Sequence, residues 1–359
     1  MTDLGSTELG WLISRRFWCA AAAGLGLVAG CAEGGGSGQP LALSQVQSWA
    51  YQLQGLDESG AVEALVNSAY DLVVIEPTRT NRDSLSFDTR GMVERLKAAK
   101  AHDGIHRKLV IGYINIGEAE NWRWYWTWSA DWPAGSDRPA DWPDYILVPD
   151  PDGWAGDFPV AYWDARWKSL VITGEGHPAA GSRDYVSMVD ELIRDGFDGA
   201  YLDWVEGYED ASVQAAADQA GVDPAEKMIQ FIGEIRAYAR TRNPDFLIIQ
   251  QNAAALIDDH KDALLKVIDA IAQEAVWFDG SAFDDWDAAN GYDEPTDAAL
   301  TAEYIACLDQ FRAAGRPVFC CEYAVNRAKD AYSLAAAHGY IAYATRRPLS
   351  RLSTTPPPG

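Results

Sequence analysis

The chain of 359 residues is poor in histidine and cysteine, with five of each, and holds no CxxC, HxH or HExxH spacing. That leaves little material for a zinc or multinuclear metal centre, whose ligands come in such close pairs. Basic residues are also scarce: 29 Lys and Arg stand against 53 Asp and Glu, giving a net charge of −24 and a pI near 4.4. A nucleic-acid partner is excluded, because phosphate contacts need a basic surface. A neutral or cationic ligand fits better. No run beyond the N-terminus is long and apolar enough to span a bilayer. Nor is there a glycine-rich phosphate loop after the first strand-like run, where Gln52-Leu53-Gln54-Gly55 stands instead. What the chain does have is a 48% hydrophobic composition with 15 Trp, enough to fill a large core and unlike a disordered polymer.

The first thirty residues read as an address. Arg15-Arg16 precedes an Ala- and Gly-rich run ending in Val28-Ala29-Gly30-Cys31. Twin arginines before such a run look like an export signal, and small residues before a cysteine look like a lipoprotein cleavage site with Cys31 as the lipidated residue. Residues 1–30 are therefore expected to be a signal peptide. The lipidated Cys31 and a flexible Gly/Ser-rich linker fill 31–44. A domain would follow over 45–347, with a proline-rich tail over 348–359. An exported protein permits a disulfide between Cys307 and Cys320 or Cys321, although buried packing is the default for that vicinal pair.

Short β-branched or aromatic runs recur at 48–52, 72–76, 109–113, 199–203, 246–250, 270–276, 318–322 and 339–343. Between them lie amphipathic stretches at the helical period, such as Tyr185, Met188, Val189, Leu192 and Ile193, or Met228, Phe231, Ile232, Ile235 and Tyr238. Alternating strand and helix implies a parallel sheet, and eight such units fit an α/β fold, a (β/α)8 TIM barrel. A doubly wound open sheet is the runner-up. The gap after the third strand is far too long for a simple connection and carries nine of the fifteen tryptophans, so a Trp-rich insertion is expected to rise over the barrel mouth. Trp122, Trp124, Trp126 and Trp128 alternate as one strand face would, and packing is favoured over ligand stacking for them.

In a barrel of this type the residues to inspect are polar groups at the C-terminal ends of the strands. Tyr201 and Asp203 alternate with Ala200 and Leu202, which puts Asp203 at the exit of the fourth strand; Glu274 stands near the exit of the sixth. Two carboxyls meeting across a barrel mouth are what glycoside hydrolysis needs, one protonating the leaving oxygen and one attacking or activating water. The competing reading makes Asp203 a helix N-cap and Glu274 a surface residue. Glu76 and Glu322 end the second and seventh strands and compete for a role.

The chain resembles glycoside hydrolase family 114, the endo-α-1,4-polygalactosaminidase family of (β/α)8 barrels, over residues 47–345. The likeness is carried by Trp49-Ala50-Tyr51-Gln52, Gly112-Tyr113-Ile114-Asn115-Ile116-Gly117-Glu118-Ala119-Glu120, Tyr162-Trp163-Asp164, Gly196-Phe197-Asp198-Gly199-Ala200-Tyr201-Leu202-Asp203, Gln251-Asn252 and Glu322-Tyr323. The resemblance matches Asp203 and Glu274 to the family's catalytic pair, with Asp203 as nucleophile or base and Glu274 as acid, or the reverse. It implies that Tyr51, Tyr113, Asn115, Gln251 and Asn252 line the mouth, that Glu76 and Asp164 hold a cationic amine, that Trp163 stacks on sugar, and that Trp204, Glu322 and Tyr323 complete the substrate site. The expected protein is an exported, lipid-anchored monomer that touches a membrane through its lipid alone, needs no cofactor or metal, and cleaves an α-linked, galactosamine-type polysaccharide. A non-catalytic carbohydrate-binding lipoprotein on the same barrel is the alternative. A metal-dependent hydrolase is poorly served, because His102, His106, His177, His260 and His338 fall outside the strand exits.

Overall fold

Segments such as Leu72-Val73-Val74-Ile75 are apolar at every position because strands of a parallel sheet are covered on both faces. In the computed structural model, which describes residues 38–353 apart from 130, 134–135, 152, 281–285 and 287–292, there are ten strands. They are β1 (Trp49–Gln52), β2 (Leu72–Ile75), β3 (Leu109–Asn115), β4 (Glu118–Glu120), β5 (Asp157–Pro159), β6 (Gly199–Asp203), β7 (Leu247–Gln251), β8 (Ala270–Glu274), β9 (Val318–Glu322) and β10 (Ile341–Ala344). The expected signal peptide, the expected lipidation site Cys31, the start of the expected linker and the tail from 354 lie outside the described residues.

Eight strands pair in parallel in the order β1-β2-β3-β6-β7-β8-β9-β10. The two ends of that order meet where the Trp49 indole N–H donates to the Ile341 carbonyl at 2.9 Å, so the sheet curls into a nearly closed (β/α)8 barrel. All eight expected strands exist, shifted by no more than two residues at either end. The largest shifts, of two residues, fall at the ends of the third and sixth expected runs and at the start of the last.

The barrel interior is filled by rings. Trp49, Tyr51, Tyr201, Phe319 and Tyr343 are all at most 1% exposed, and the Trp49 ring lies 5.4 to 6.3 Å from the other four. Aromatic side chains interlock here in place of the branched aliphatics commoner inside such barrels.

The helices are α1 (Ala61–Val66), α2 (Thr89–Ala98), α3 (Ala165–Lys168), α4 (Met188–Asp195), α5 (Ala211–Ala220), α6 (Pro224–Arg240), α7 (Leu256–Val267), α8 (Ala298–Ala313) and α9 (Ala328–His338). Helix α4 starts three residues later than the pattern from Tyr185 implied, because the Ser187 hydroxyl accepts from the Asp190 N–H and caps it. Tyr185 is buried ahead of the helix. Cys307 lies on α8 and Cys320 and Cys321 on β9; all three are buried free thiols, so no disulfide joins them.

The long connection between β3 and β6 extends the hydrophobic core beyond the barrel. Strands β4 and β5 pair antiparallel, Glu118 opposite Pro159 and Glu120 opposite Asp157. Beneath them the Trp142 ring meets Trp126 at 4.7 Å and Phe158 at 4.8 Å, both edge to face. The alternating tryptophans do not form a strand: they sit in turns and irregular chain. Trp126 is buried in this cluster, Trp124 packs edge-on against Tyr185 at 5.7 Å, and Trp122 reaches the barrel mouth.

Candidate active site

At the C-terminal end of the barrel a cleft of about 730 Å³ opens between the strand exits, the β4–β5 hairpin and residues 347–349. Asp203, Gln251 and Glu274 are the last residues of β6, β7 and β8 and all line it. Register explains why they converge. Tyr113 pairs with Tyr201 and Asn115 with Asp203, so alternation along β3 and β6 sends these side chains inward.

Each carboxylate is held by neutral donors. Asp203 accepts from the Tyr113 hydroxyl through Oδ2 and from the Trp204 N–H through Oδ1 at 2.8 Å. Glu274 Oε2 accepts from Gln251 Nε2 at 2.7 Å and Asn252 Nδ2 at 3.1 Å, and Oε1 from the Tyr323 hydroxyl. Asn252 also takes the Glu274 backbone N–H on its Oδ1 at 3.0 Å, and Tyr51 donates to Gln251 Oε1 at 3.3 Å. Asp203 is not a helix cap: the residue that caps α5 is Asp210, seven positions on. The backbone directly after all three strands is left-handed at non-glycine residues, with φ of 58° at Trp204, 53° at Asn252 and 53° at Ala275. Such strain persists only where the surroundings over-determine it, and it clusters at functional sites.

Burial and the nearby Glu274 charge push the Asp203 carboxyl up to about 7, against the pull of the Tyr113 and Trp204 donors. Asp203 therefore keeps its proton up to near neutrality. We expect kcat/KM to fall on the alkaline side with a limb near neutral pH, as rising pH strips that proton. A rate that stays flat from pH 6 to 9, measured by initial velocities, would overturn this.

Sequence reasoning missed several lining groups. Glu206, Glu118, Glu120, Asp157, Trp122, Arg123, Trp154 and Arg347 all face the cleft. Glu206 follows Asp203 by three residues on a turn, and Glu118 and Glu120 lie on β4, within the motif noted above. Trp204 stands in the cleft wall as expected.

Four expected substrate contacts are placed differently. Glu76 does line the cleft, but its carboxylate is bound by Arg123, which also grips Glu120; it is not free for an amine. Glu322 is fully buried and outside the cleft, its Oε2 accepting the N–H groups of Trp277 and Phe278 at 3.0 and 2.9 Å. Glu274 pairs with Cys321 in register, so the next residue, Glu322, turns away from the interior and Tyr323 returns to it. Trp163 and Asp164 line a separate groove of about 490 Å³ with Tyr145 and Ser212. There Asp164 caps α3 and pairs with Arg166 at 2.7 Å.

With this geometry in view, the profile of glycoside-hydrolase family GH114 matches residues 35–356. The chain belongs to that family. An uncharacterized protein of Deinococcus radiodurans is 33% identical over 88% of this chain and 85% of its own length. Among solved structures, the glycoside hydrolase domain of PelA from Pseudomonas aeruginosa aligns over 85% of this chain and 96% of its own, with a TM-score of 0.52 and 15% identity. Ega3 of Aspergillus fumigatus, in complex with galactosamine, aligns over 88% and 98%, with a TM-score of 0.55 and 16% identity. At that identity the two structures share the fold with this GH114 chain. Family membership makes the protein a glycoside hydrolase.

Proposed function

We propose that this protein hydrolyses an α-linked, galactosamine-type polysaccharide by a two-carboxylate mechanism, with Asp203 and Glu274 as the reacting pair. One observation carries the reading: two carboxyls from strand exits two places apart share one cleft, each oriented by a tyrosine hydroxyl and a second donor. One protonates the leaving glycosidic oxygen while the other attacks the anomeric carbon or activates water. Asn115 stabilises the wall rather than reaching for sugar: its Oδ1 takes the Gly117 and Glu118 N–H groups at 3.1 and 2.8 Å, and its Nδ2 donates to Glu118. The twin arginines and the small residues before Cys31 support an exported, lipid-anchored protein that meets the polymer outside the cell.

The amino-sugar assignment is supported by the carboxyl-rich lining of the cleft. Glu118, Asp157 and Glu206 line it beside the reacting pair. The arginines there are engaged: Arg123 with Glu76 and Glu120, Arg347 with Asp279. Burial and the nearby Glu120 charge, against the pull of Arg123, hold the Asp157 carboxyl up at about 9, so a cationic substrate would release protons as it binds. The deciding experiment compares reducing-end release from partly deacetylated and fully N-acetylated galactosaminan at rising salt. We expect the cationic polymer to be cleaved faster, with an advantage that shrinks as salt screens charges beyond about 8–10 Å. Equal rates on both polymers, independent of salt, would reject the cationic substrate.

A further inference from the structure

A third carboxyl stands at the reacting pair. Glu206 lies on the turn Val205–Glu209 that follows β6, half-buried in the cleft wall. Its Oε1 accepts from Asn252 Nδ2 at 2.9 Å, and its Oε2 is buried without a partner. The same Asn252 nitrogen donates to Glu274 Oε2 at 3.1 Å, while Asn252 Oδ1 receives the Gln273 amide and the Glu274 N–H. One side-chain amide is thus tied down at four points, and Glu206 supplies the second acceptor for its nitrogen, beside Glu274 on β8. Without it, the Asn252 amide loses the bond that sets how it is divided between the two carboxylates.

We propose that Glu206 is a positioning residue for the reacting pair: through Asn252 it fixes the amide that clamps Glu274. This rests on those two being the reacting pair and goes beyond it by assigning the third acid. The groups that face Glu206 are Asp203 and Tyr201 from β6, Glu274 from β8, Asn252 from the end of β7, Tyr208 on its own turn and Tyr304 from α8. No cation is among them. Facing the pair from the other side are Tyr113 and Glu120 toward Asp203, and Gln251 and Tyr323 toward Glu274. Burial and the Asp203 charge raise the Glu206 carboxyl itself to about 8, against the Asn252 bond, above the Asp203 value of about 7, so Glu206 is mainly uncharged where Asp203 titrates and acts there through its bond to Asn252.

The test needs no substrate, which separates its failure from failure of the proposed function. Carboxyl ¹³C titrations are recorded on the parent, Glu206→Gln and Glu206→Asp, with the Asp203 signal assigned by its loss in Asp203→Asn. Glutamine keeps an Oε1 acceptor for Asn252 and, like the protonated glutamate, carries no charge, so the Asp203 midpoint should stay within about 0.3 pH unit of the parent's. Aspartate keeps an ionisable carboxyl and should leave the midpoint near the parent's as well. In parallel, hydrogen exchange at the Asn252 side-chain amide should quicken in Glu206→Ala and stay slow in Glu206→Gln. A midpoint that moves by about a full pH unit in the Gln variant would make Glu206 a charge partner and overturn a role through Asn252 alone, and unchanged exchange in the Ala variant overturns the positioning role.

Discussion

Asp203→Asn and Glu274→Gln should each lower turnover by about 10²–10⁴-fold, the range seen when a positioned acid or base is removed. Both replacements are nearly isosteric, so the tyrosine hydroxyls that hold Asp203 and Glu274 keep an oxygen to donate to. The double variant should fall little below the worse single one, because groups that act as a unit do not add. Initial rates of reducing-end release measure this, and near-parent rates in both single variants would remove the pair from the mechanism.

The Asp203 variant carries a second expectation that separates lost chemistry from lost folding. In the folded protein the carboxyl is raised to about 7, whereas an unfolded aspartate titrates near ~3.9. Below that lower value both states are protonated and the group has no effect on stability. Between roughly 4 and 7 the native state keeps a proton that the unfolded chain has released, so stability declines as pH rises, and the whole penalty is present above the folded value. Asparagine never carries that charge. Asp203→Asn should therefore match the parent near pH 4 and exceed it by about 1–3 kcal/mol at pH 8, read from denaturant unfolding at the two pH values. An inactive variant that is more stable in alkali is the signature of a charge retained for catalysis at the expense of the fold.

How far the site could be read in advance depended on whether a residue's direction was local. Strands were legible because a parallel barrel buries both faces, so 72–75 and 318–321 read as unbroken apolar runs. Asp203 and Glu274 were legible because each is the terminal residue of such a run. The inward face of β9 depended on its pairing with β8, and only the pairing of Glu274 with Cys321 separates the inward Tyr323 from the outward Glu322. Trp163 and Asp164 failed for another reason: they belong to the insertion, whose course is set by the Trp126, Trp142 and Phe158 cluster rather than by any local period. Glu206 was hidden by its backbone. The turn that presents it begins with a tryptophan at φ 58°, a conformation that local propensity assigns to glycine or asparagine.

That tryptophan is the subject of the second large expected effect, since it is held by the absence of side chains around it. A Cβ placed on Gly117 would stand 2.4 Å from the Trp204 carbonyl oxygen and 2.6 Å from its ring Cε3, and one on Gly207 would stand 2.3 Å from the same ring atom. Neither glycine has a left-handed backbone, so both are required by space alone. Trp204 cannot shift without moving its N–H, which donates to Asp203 Oδ1 at 2.8 Å. Gly117→Ala should therefore act on the chemistry as well as on the packing: about 1–3 kcal/mol of stability lost to overpacking, and kcat lowered by up to about 10²-fold through displacement of the Asp203 donor. Gly207→Ala should do the same. Gly233→Ala is the control, because its new Cβ would meet only Val267 Cγ1 at 3.1 Å, in the packing of α6 against α7. Its kcat should stay at the parent's value. If Gly117→Ala loses stability but turns over as fast as Gly233→Ala, Trp204 is wall and not support, and the orientation of Asp203 must come from Tyr113 alone.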